Sequence, residues 1–198
     1  MRLERDEILF LGGEPAKGLY VIAEGSIRAF RTGIDGREQV IHVERAVTTI
    51  AEAPVFDGGK YPSTTAAETL CTIYMIPRDV ILTECRLHPE LALAAARLLA
   101  GRLRMCAELV ESLSLREVGQ RLAKLFLDRA AAINPDKKDT VEFEQPLTHN
   151  QLAARIGTVR EVVSRSLQRL QAQGLIDIDG KRVVVGSVRN LKAYAGVE

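Results

Sequence analysis

Along the first 77 residues, short apolar runs alternate with turn-forming residues. "ILFL" meets Gly12-Gly13, "LYVI" meets Gly25, "SIRAF" meets Gly33 and Asp35-Gly36, and "EQVIHV" gives way to a polar stretch. "APVF" then meets Asp57-Gly58-Gly59, and "TIYMI" ends at Pro77. Runs this short, punctuated this often, predict an antiparallel β-roll or jelly-roll barrel, and nothing in the segment has helical length or period. From about Pro89 the period changes. Ala92, Ala96, Leu99, Leu103, Cys106, Val110 and Leu113 recur at alternating intervals of four and three, with no proline among them. That heptad seam predicts one long helix. Its stripe, chiefly Leu99, Leu103, Cys106, Val110 and Leu113, packs either on the protein's own barrel or on a second copy. The strict alternation favours the second copy, in a parallel coiled coil.

A second helical run, "REVGQRLAKLFLDRAAA", has Val118, Leu122, Leu125 and Phe126 as its apolar face. It ends near Asn134-Pro135, because the residue before a proline avoids the helical region. The charged "DKKD" follows, and "TVEFEQPL" predicts a short hairpin leading to Thr148. Thr148 and Gln151 fit a capping box that starts a helix. Ile156-Gly157 ends it, and Thr158 with Glu161 fits a second capping box. Two short helices joined by a glycine-containing turn make a helix-turn-helix. Gly174 closes the second helix, and "LIDI-DG-KRVVV" predicts two strands around an Asp-Gly turn, a wing.

The second of these helices is two-sided. Val159, Val163, Leu167 and Leu170 make an apolar stripe, and Arg160, Glu161, Ser164 and Arg165 are polar, with Gln168 further along. An arginine can donate bidentately to guanine, and a glutamate can accept from the cytosine amino group. Ser164 is short enough for close approach to a base edge or a phosphate. Thr158 and His149 complete the expected DNA-facing set, with Lys181 and Arg182 at the wing tip gripping the backbone, which positions without specifying.

Composition narrows the rest. The chain has 198 residues, of which 46% are apolar and 27% charged, with no tryptophan and 5% aromatics, so base-stacking platforms do not carry its function. No run approaches the roughly 20 apolar residues of a membrane span, and "MRLERDEILF" contains no signal-peptide core. A cytoplasmic protein without membrane contact is expected. Net charge is +1 overall, but residues 1–115 carry 13 Lys+Arg against 16 Asp+Glu, and residues 116–198 carry 14 against 10. The excess has the sign of a C-terminal part that meets phosphate. Cys71, Cys85 and Cys106 have no CxxC spacing, which argues against a disulfide framework or a zinc ribbon. His42, His88, Glu52 and Cys71 form no triad, metal cage or phosphate loop, so no enzyme is expected. Three segments follow: a β-roll over 1–87, a dimerisation helix over 88–115 and a winged helix-turn-helix over 116–198, an α+β protein overall.

This order resembles that of the CRP/FNR family of bacterial transcription regulators, across nearly the whole chain. "GEPAKGLYVIAEGSIRAFRTGIDGREQVIHV" is similar to the family's barrel around Gly25 and Gly36, and "AEAPVFDGGKYPSTTAAETL" to its effector cassette. "LTHNQLAARIGTVREVVSRSLQRLQAQGLI" is the most specific segment, through its RExxSR core of Arg160, Glu161, Ser164 and Arg165. The resemblance implies a homodimer on double-stranded DNA, a TGA-containing inverted repeat and contact with RNA polymerase, for which the Asp136–Asp139 loop is a candidate. It also implies control through a hinge near Ser112–Arg116.

The departures bear on the effector. Cyclic-nucleotide members use Gly-Glu and Arg-Ser pairs in the cassette; here these read Ala51-Glu52 and Pro62-Ser63. Losing the guanidinium removes a bidentate clamp on a cyclic phosphate, and Lys60 nearby is a point charge. Cyclic AMP is therefore not the expected effector. No cysteine precedes Cys71, which argues against the cluster of the oxygen-sensing members. His42 and His88 sit in no haem motif. No cofactor is expected, and an unidentified small ligand or redox signal remains the alternative to control by abundance. "ERAVTTIAE" lacks the glycines the family commonly places before the cassette, and the chain begins almost directly at the first strand, without the family's leading helix.

Overall fold

A computed structural model describes every residue except Pro135, Lys137 and Glu198. It divides into two compact units, Met1–Leu109 and Val110–Glu198. The sequence suggested three segments. The long helix buries none of its residues and so forms no core of its own.

The first unit runs β1 (Arg2–Leu3), β2 (Ile8–Phe10), β3 (Gly18–Glu24), β4 (Ser26–Thr32), β5 (Glu38–Arg45), β6 (Thr48–Ile50), α1 (Glu52–Asp57), β7 (Thr64–Ala67), β8 (Cys71–Pro77), α2 (Arg78–Leu87) and the start of α3 (Pro89–Leu115). Two four-stranded antiparallel sheets, ordered β1-β8-β3-β6 and β2-β7-β4-β5, form the roll. Period-two alternation fills its interior: Ile27 and Ala29 of β4 and Thr65 and Ala67 of β7 all point inward and are buried. Ile22, Ile73 and Tyr20 complete the core from the other sheet.

Two residues set the backbone at the corners of this roll. Gly25 joins β3 to β4 at φ +86°, and a Cβ there would lie 2.3 Å from the carbonyl oxygen of Leu70. Ala51 takes φ +79° as the N-cap of α1, a left-handed conformation held by a non-glycine residue. The turn thus keeps the geometry glycine would supply, at an energetic cost. Helices α1 and α2 were not anticipated: "APVF" is part of the six-residue α1, too short to show a period, and α2 follows Pro77 directly.

The second unit contains α4 (Val118–Ile133), β9 (Val141–Glu144), α5 (His149–Ile156), α6 (Arg160–Ala172), β10 (Ile176–Asp179), β11 (Arg182–Val185) and α7 (Val188–Ala195). Leu122 and Phe126 of α4 pack with Leu152, Val163, Leu170 and Leu191 around one core. "TVEFEQPL" forms no hairpin. Its strand β9 pairs with β11 instead, giving a sheet ordered β10-β11-β9, because Val141 and Phe143 find their apolar partners there. Helix α7, also unanticipated, is capped by Ser187 and closed by Gly196. Helix α4 ends at Ile133 with Asn134 as its C-cap, and the Pro135 stop lies outside the described residues.

The two corners predict opposite effects. Ala51→Gly should raise stability by about 1 kcal/mol by relieving the left-handed alanine. Gly25→Ala should lower it by roughly 2 kcal/mol or more. Urea unfolding of the two variants measures both.

Candidate functional site

Local chemistry makes the helix pair. Thr148 caps α5 and forms the expected box with Gln151. Gly157 turns left-handed at φ +68°, and the amides of Gly157 and Thr158 both return to Ala153 O. The first is the 5→1 bond of an αL cap and the second the 6→1 bond seen in Schellman closures. Helix α6 then begins at Arg160, one residue later than a Thr158 cap would require. Val159 is the N-cap of α6 and makes no side-chain cap. The expected second capping box is therefore absent.

On α6, Val163, Leu167 and Leu170 are buried. At 100° per residue, Glu161, Ser164, Arg165 and Gln168 span an arc of about 100° on the opposite side. Glu161, Arg165 and Gln168 are exposed and Ser164 is half-buried, while Arg160 sits exposed at the first turn. None of Arg160, Glu161 and Arg165 pairs with another charged group among the described residues, so no intrahelical salt link accounts for them. His149, the first residue of α5, reaches across to Ser164, Nδ1 to Oγ 2.8 Å.

The wing is built as expected, with a loop one residue later: Asp179 pairs with Arg182, leaving Gly180-Lys181 as the loop. Lys181 is exposed. Arg182 is not free: its Nε and Nη2 donate to the two carboxylate oxygens of Glu142 at 2.6 Å each. The Arg182 guanidinium holds the Glu142 carboxyl below its usual range. Behind the helix pair, Arg121 of α4 donates to Leu113 O at 3.2 Å, Arg116 O at 3.4 Å and Gly157 O at 3.3 Å. It joins the end of α3 to the turn of the helix pair.

The barrel holds a cavity of about 360 Å³. Of the expected cassette residues, Ala51, Glu52, Pro62 and Ser63 line it and Lys60 does not. Lys60 is exposed, in a bridge to Pro15. Glu52 is 2% exposed and does not stand alone. Arg102 of α3 donates Nη1 to Glu52 Oε2 and Nη2 to Thr49 O, and Thr49 Oγ1 donates to Glu52 Oε1. Arg102 Nε also lies 3.3 Å from Glu44 Oε1. The sequence reading missed Arg102, which comes from 50 residues further on, and Arg31 of β4, which also lines the cavity. His42 lines it too, while His88 is exposed between Glu84 and Glu90. Of the expected dimerisation residues, Leu103 is 72% and Val110 64% exposed; Cys106 and Leu113 are also exposed and Leu99 is half-buried. Leu99, Leu103 and Cys106 line the cavity as well.

This architecture is that of a DNA-binding transcription regulator with a cyclic-nucleotide-binding-type barrel. Residues 1–88 match the family model described as a cyclic nucleotide-binding domain, and residues 120–194 match a Crp-like helix-turn-helix domain. A CRP-like cAMP-activated global transcriptional regulator of Mycobacterium tuberculosis is 28% identical over 193 residues, spanning 96% of this chain and 85% of that protein. A CRP-family transcriptional regulator from Thermus thermophilus is 26% identical, with a TM-score of 0.77, covering 99% of this chain and 96% of its own. FixK2 from Bradyrhizobium japonicum, at 19% identity and a TM-score of 0.80, shares the fold over 98% of this chain and 95% of its own. The chain belongs to the CRP/FNR family of transcription regulators. These relatives are regulators rather than enzymes, and no described helix is long and apolar enough to cross a membrane.

Burial, with Arg102 beside it, pushes His42 down to about 4 from 6.5. The unfolded chain takes up that proton below about pH 6.5 and the folded barrel does not, so stability falls as pH drops from 6.5 toward 4. Glu44, raised by burial, acts in the opposite sense. For His42 alone the loss between pH 7.5 and pH 5 is roughly 2 kcal/mol. Urea midpoints at the two pH values should drop accordingly in the native protein, and the drop should shrink in His42→Gln.

Proposed function

We propose that this regulator acts as a homodimer that places the exposed face of α6 in successive major grooves of an inverted repeat containing TGA. One observation carries this reading: Glu161, Arg165 and Arg160 stand exposed on α6 with no ion-pair partner among the described residues, beside a wing. Arg165 and Glu161 read base edges, Ser164 and Gln168 assist, and Thr158, His149 and Lys181 position the helix on phosphates. Arg182 does so only by leaving Glu142. Two α6 helices must lie one helical turn of DNA apart, about 34 Å. The uncovered seam of α3 supports the pairing of chains, since exposed Leu103 and Val110 on one stripe suit a second copy better than water. Contact with RNA polymerase through the surface around Asp136 and Asp139 belongs to the same reading, with Lys137 outside the described residues.

The Mycobacterium relative is named for activation by cAMP. For this chain we infer a different control. Pro62 offers no guanidinium for a cyclic phosphate, and the Glu52 carboxylate is already occupied by Arg102 and Thr49. Control is by abundance or by another small ligand acting through the junction of α3 and α4 near Ser112–Arg116.

Selection of bound duplexes from random DNA at physiological salt, where non-specific binding is suppressed, should enrich an inverted repeat with TGA half-sites. Arg165→Ala should weaken that site by about 1–3 kcal/mol and relax one base position. Enrichment of unrelated or asymmetric sites would overturn the reading. Val110→Glu should convert the dimer to monomer in analytical ultracentrifugation and abolish binding to the repeat; a dimer that survives it would remove the seam from the interface.

A further inference from the structure

The exposed face of the wing has a charge pattern that gripping DNA does not explain. In the sheet of β10, β11 and β9, Ile176, Val183, Val185, Val141 and Phe143 turn inward and are buried, so the alternate positions face out. Register puts Asp179, Arg182 and Glu144 in one cross-strand row and Asp177, Val184 and Glu142 in the next. Side chains of such rows share a face. This face therefore sets four carboxylates against one guanidinium, and all five of these charged residues are exposed. A phosphate backbone is repelled by such a surface.

Arg182 has one ion-pair partner in this face among the described residues. Asp179 and Glu144 stand directly opposite it in the ladder, yet the pair is with Glu142, on the diagonal of the neighbouring strand. Arg182 Nε donates to Glu142 Oε1 and Nη2 to Oε2, both at 2.6 Å. Both carboxylate oxygens and one edge of the guanidinium are used, the planar two-point contact that a phosphate would make. Glu142 thus occupies Arg182 in the way DNA would. Lys181 differs: it lies in the loop beyond both rows, exposed, and no ion pair holds it among the described residues.

We propose that Glu142 is a positioning residue that withholds Arg182 from the DNA backbone, so that each wing holds phosphate through Lys181 alone. A phosphate approaching Arg182 has to displace a fixed carboxylate while entering a face that carries three more. Phosphate contacts set non-specific affinity, whereas base contacts set specificity. Withholding one phosphate contact per wing therefore lowers affinity for unrelated sequence and leaves the exposed side chains of α6 untouched. This role presupposes the reading of α6 and its wing as the DNA-binding surface.

Fluorescence anisotropy of the full chain on a labelled duplex of mixed sequence, about 30 base pairs long and titrated between about 50 and 200 mM salt, tests it without any operator, because phosphate contacts need none. Glu142→Gln should bind more tightly, by roughly five- to tenfold per engaged wing at about 0.1 M salt, and should steepen the fall of log K with log salt by about 0.9 per wing. Adding Arg182→Gln should remove that gain, since the freed guanidinium carries it. Glu144→Gln takes an equal charge from the same face without freeing Arg182, and should give less than about half the change in slope. Lys181→Gln should flatten the slope by about 0.9 per wing. Thermal melting confirms that each variant folds. The role is overturned if Glu142→Gln leaves affinity and slope as in the native chain, if Glu144→Gln matches it, or if the gain survives Arg182→Gln. An unchanged slope in Lys181→Gln overturns it as well. A native chain that binds no duplex at about 50 mM salt, where non-specific binding is strong, overturns the DNA-binding reading and this role with it. A native chain that binds, with variants that do not differ from it, overturns this role alone.

Discussion

A carboxylate that is almost wholly removed from water has to be met, and in this protein the group that meets Glu52 comes from a helix. Isolating a charge in the interior costs several kcal/mol even after relaxation. Arg102 of α3 and Thr49 of β6 both answer Glu52, and Arg102 also takes the carbonyl of Thr49. The result fixes three things at once: the turn into α1 behind the left-handed Ala51, the end of β6, and the rotation of α3 over the roll. With Arg102 turned inward, Leu99, Leu103 and Cys106 border the cavity, and Leu103 remains largely open to solvent. The same helix therefore limits the cavity and carries an uncovered apolar seam. Whatever enters the cavity meets the helix that the seam belongs to.

The second unit has a comparable knot, smaller and made of backbone oxygens. Arg121 donates to carbonyls at the end of α3 and to the carbonyl of Gly157. A cation among unpaired helix-terminal carbonyls is favourable in itself. Here it also ties the turn that aims α6 to the junction between α3 and α4. Gly157 closes α5 in a left-handed turn, so the turn that leads into α6 is fixed from both sides, by its own backbone bonds and by Arg121. One side chain with three acceptors makes that tie.

Much of this was legible in the residues. Turn glycines gave the roll, the heptad interval gave α3, and Thr148, Gln151 and Gly157 gave the helix pair, because each rests on chemistry local to a few positions. The errors lie where distant partners decide. Thr158 looks like a cap, but α6 starts one residue later and takes Val159 as its N-cap. "TVEFEQPL" looks like a hairpin, but β11 is the partner of its one strand. Arg182 looks like a free phosphate ligand, but Glu142, 40 residues earlier, holds it. Arg102 and Arg31 could not be assigned to the cavity from the cassette, since one arrives from α3 and the other from an earlier strand. Arg31 stands exposed near the end of β4, and nothing local to it marks the cavity.

The arginines sort themselves by whether the protein has already answered them. Arg28 is met by Asp6, Arg37 by Asp35, Arg102 by Glu52 and Arg182 by Glu142. These hold the fold or wait to be released. Arg160, Arg165 and Arg31 have no such partner among the described residues. Two of them stand exposed on α6, where solvent satisfies them. The third, near the end of β4, borders the cavity of the roll and is exposed to solvent as well. Exposure explains an unpaired arginine on a helix surface cheaply, so α6 needs its wing and its turn to be read as a DNA surface. The lack of a carboxylate partner therefore says little by itself in either place, and what distinguishes α6 is the turn and the wing beside it.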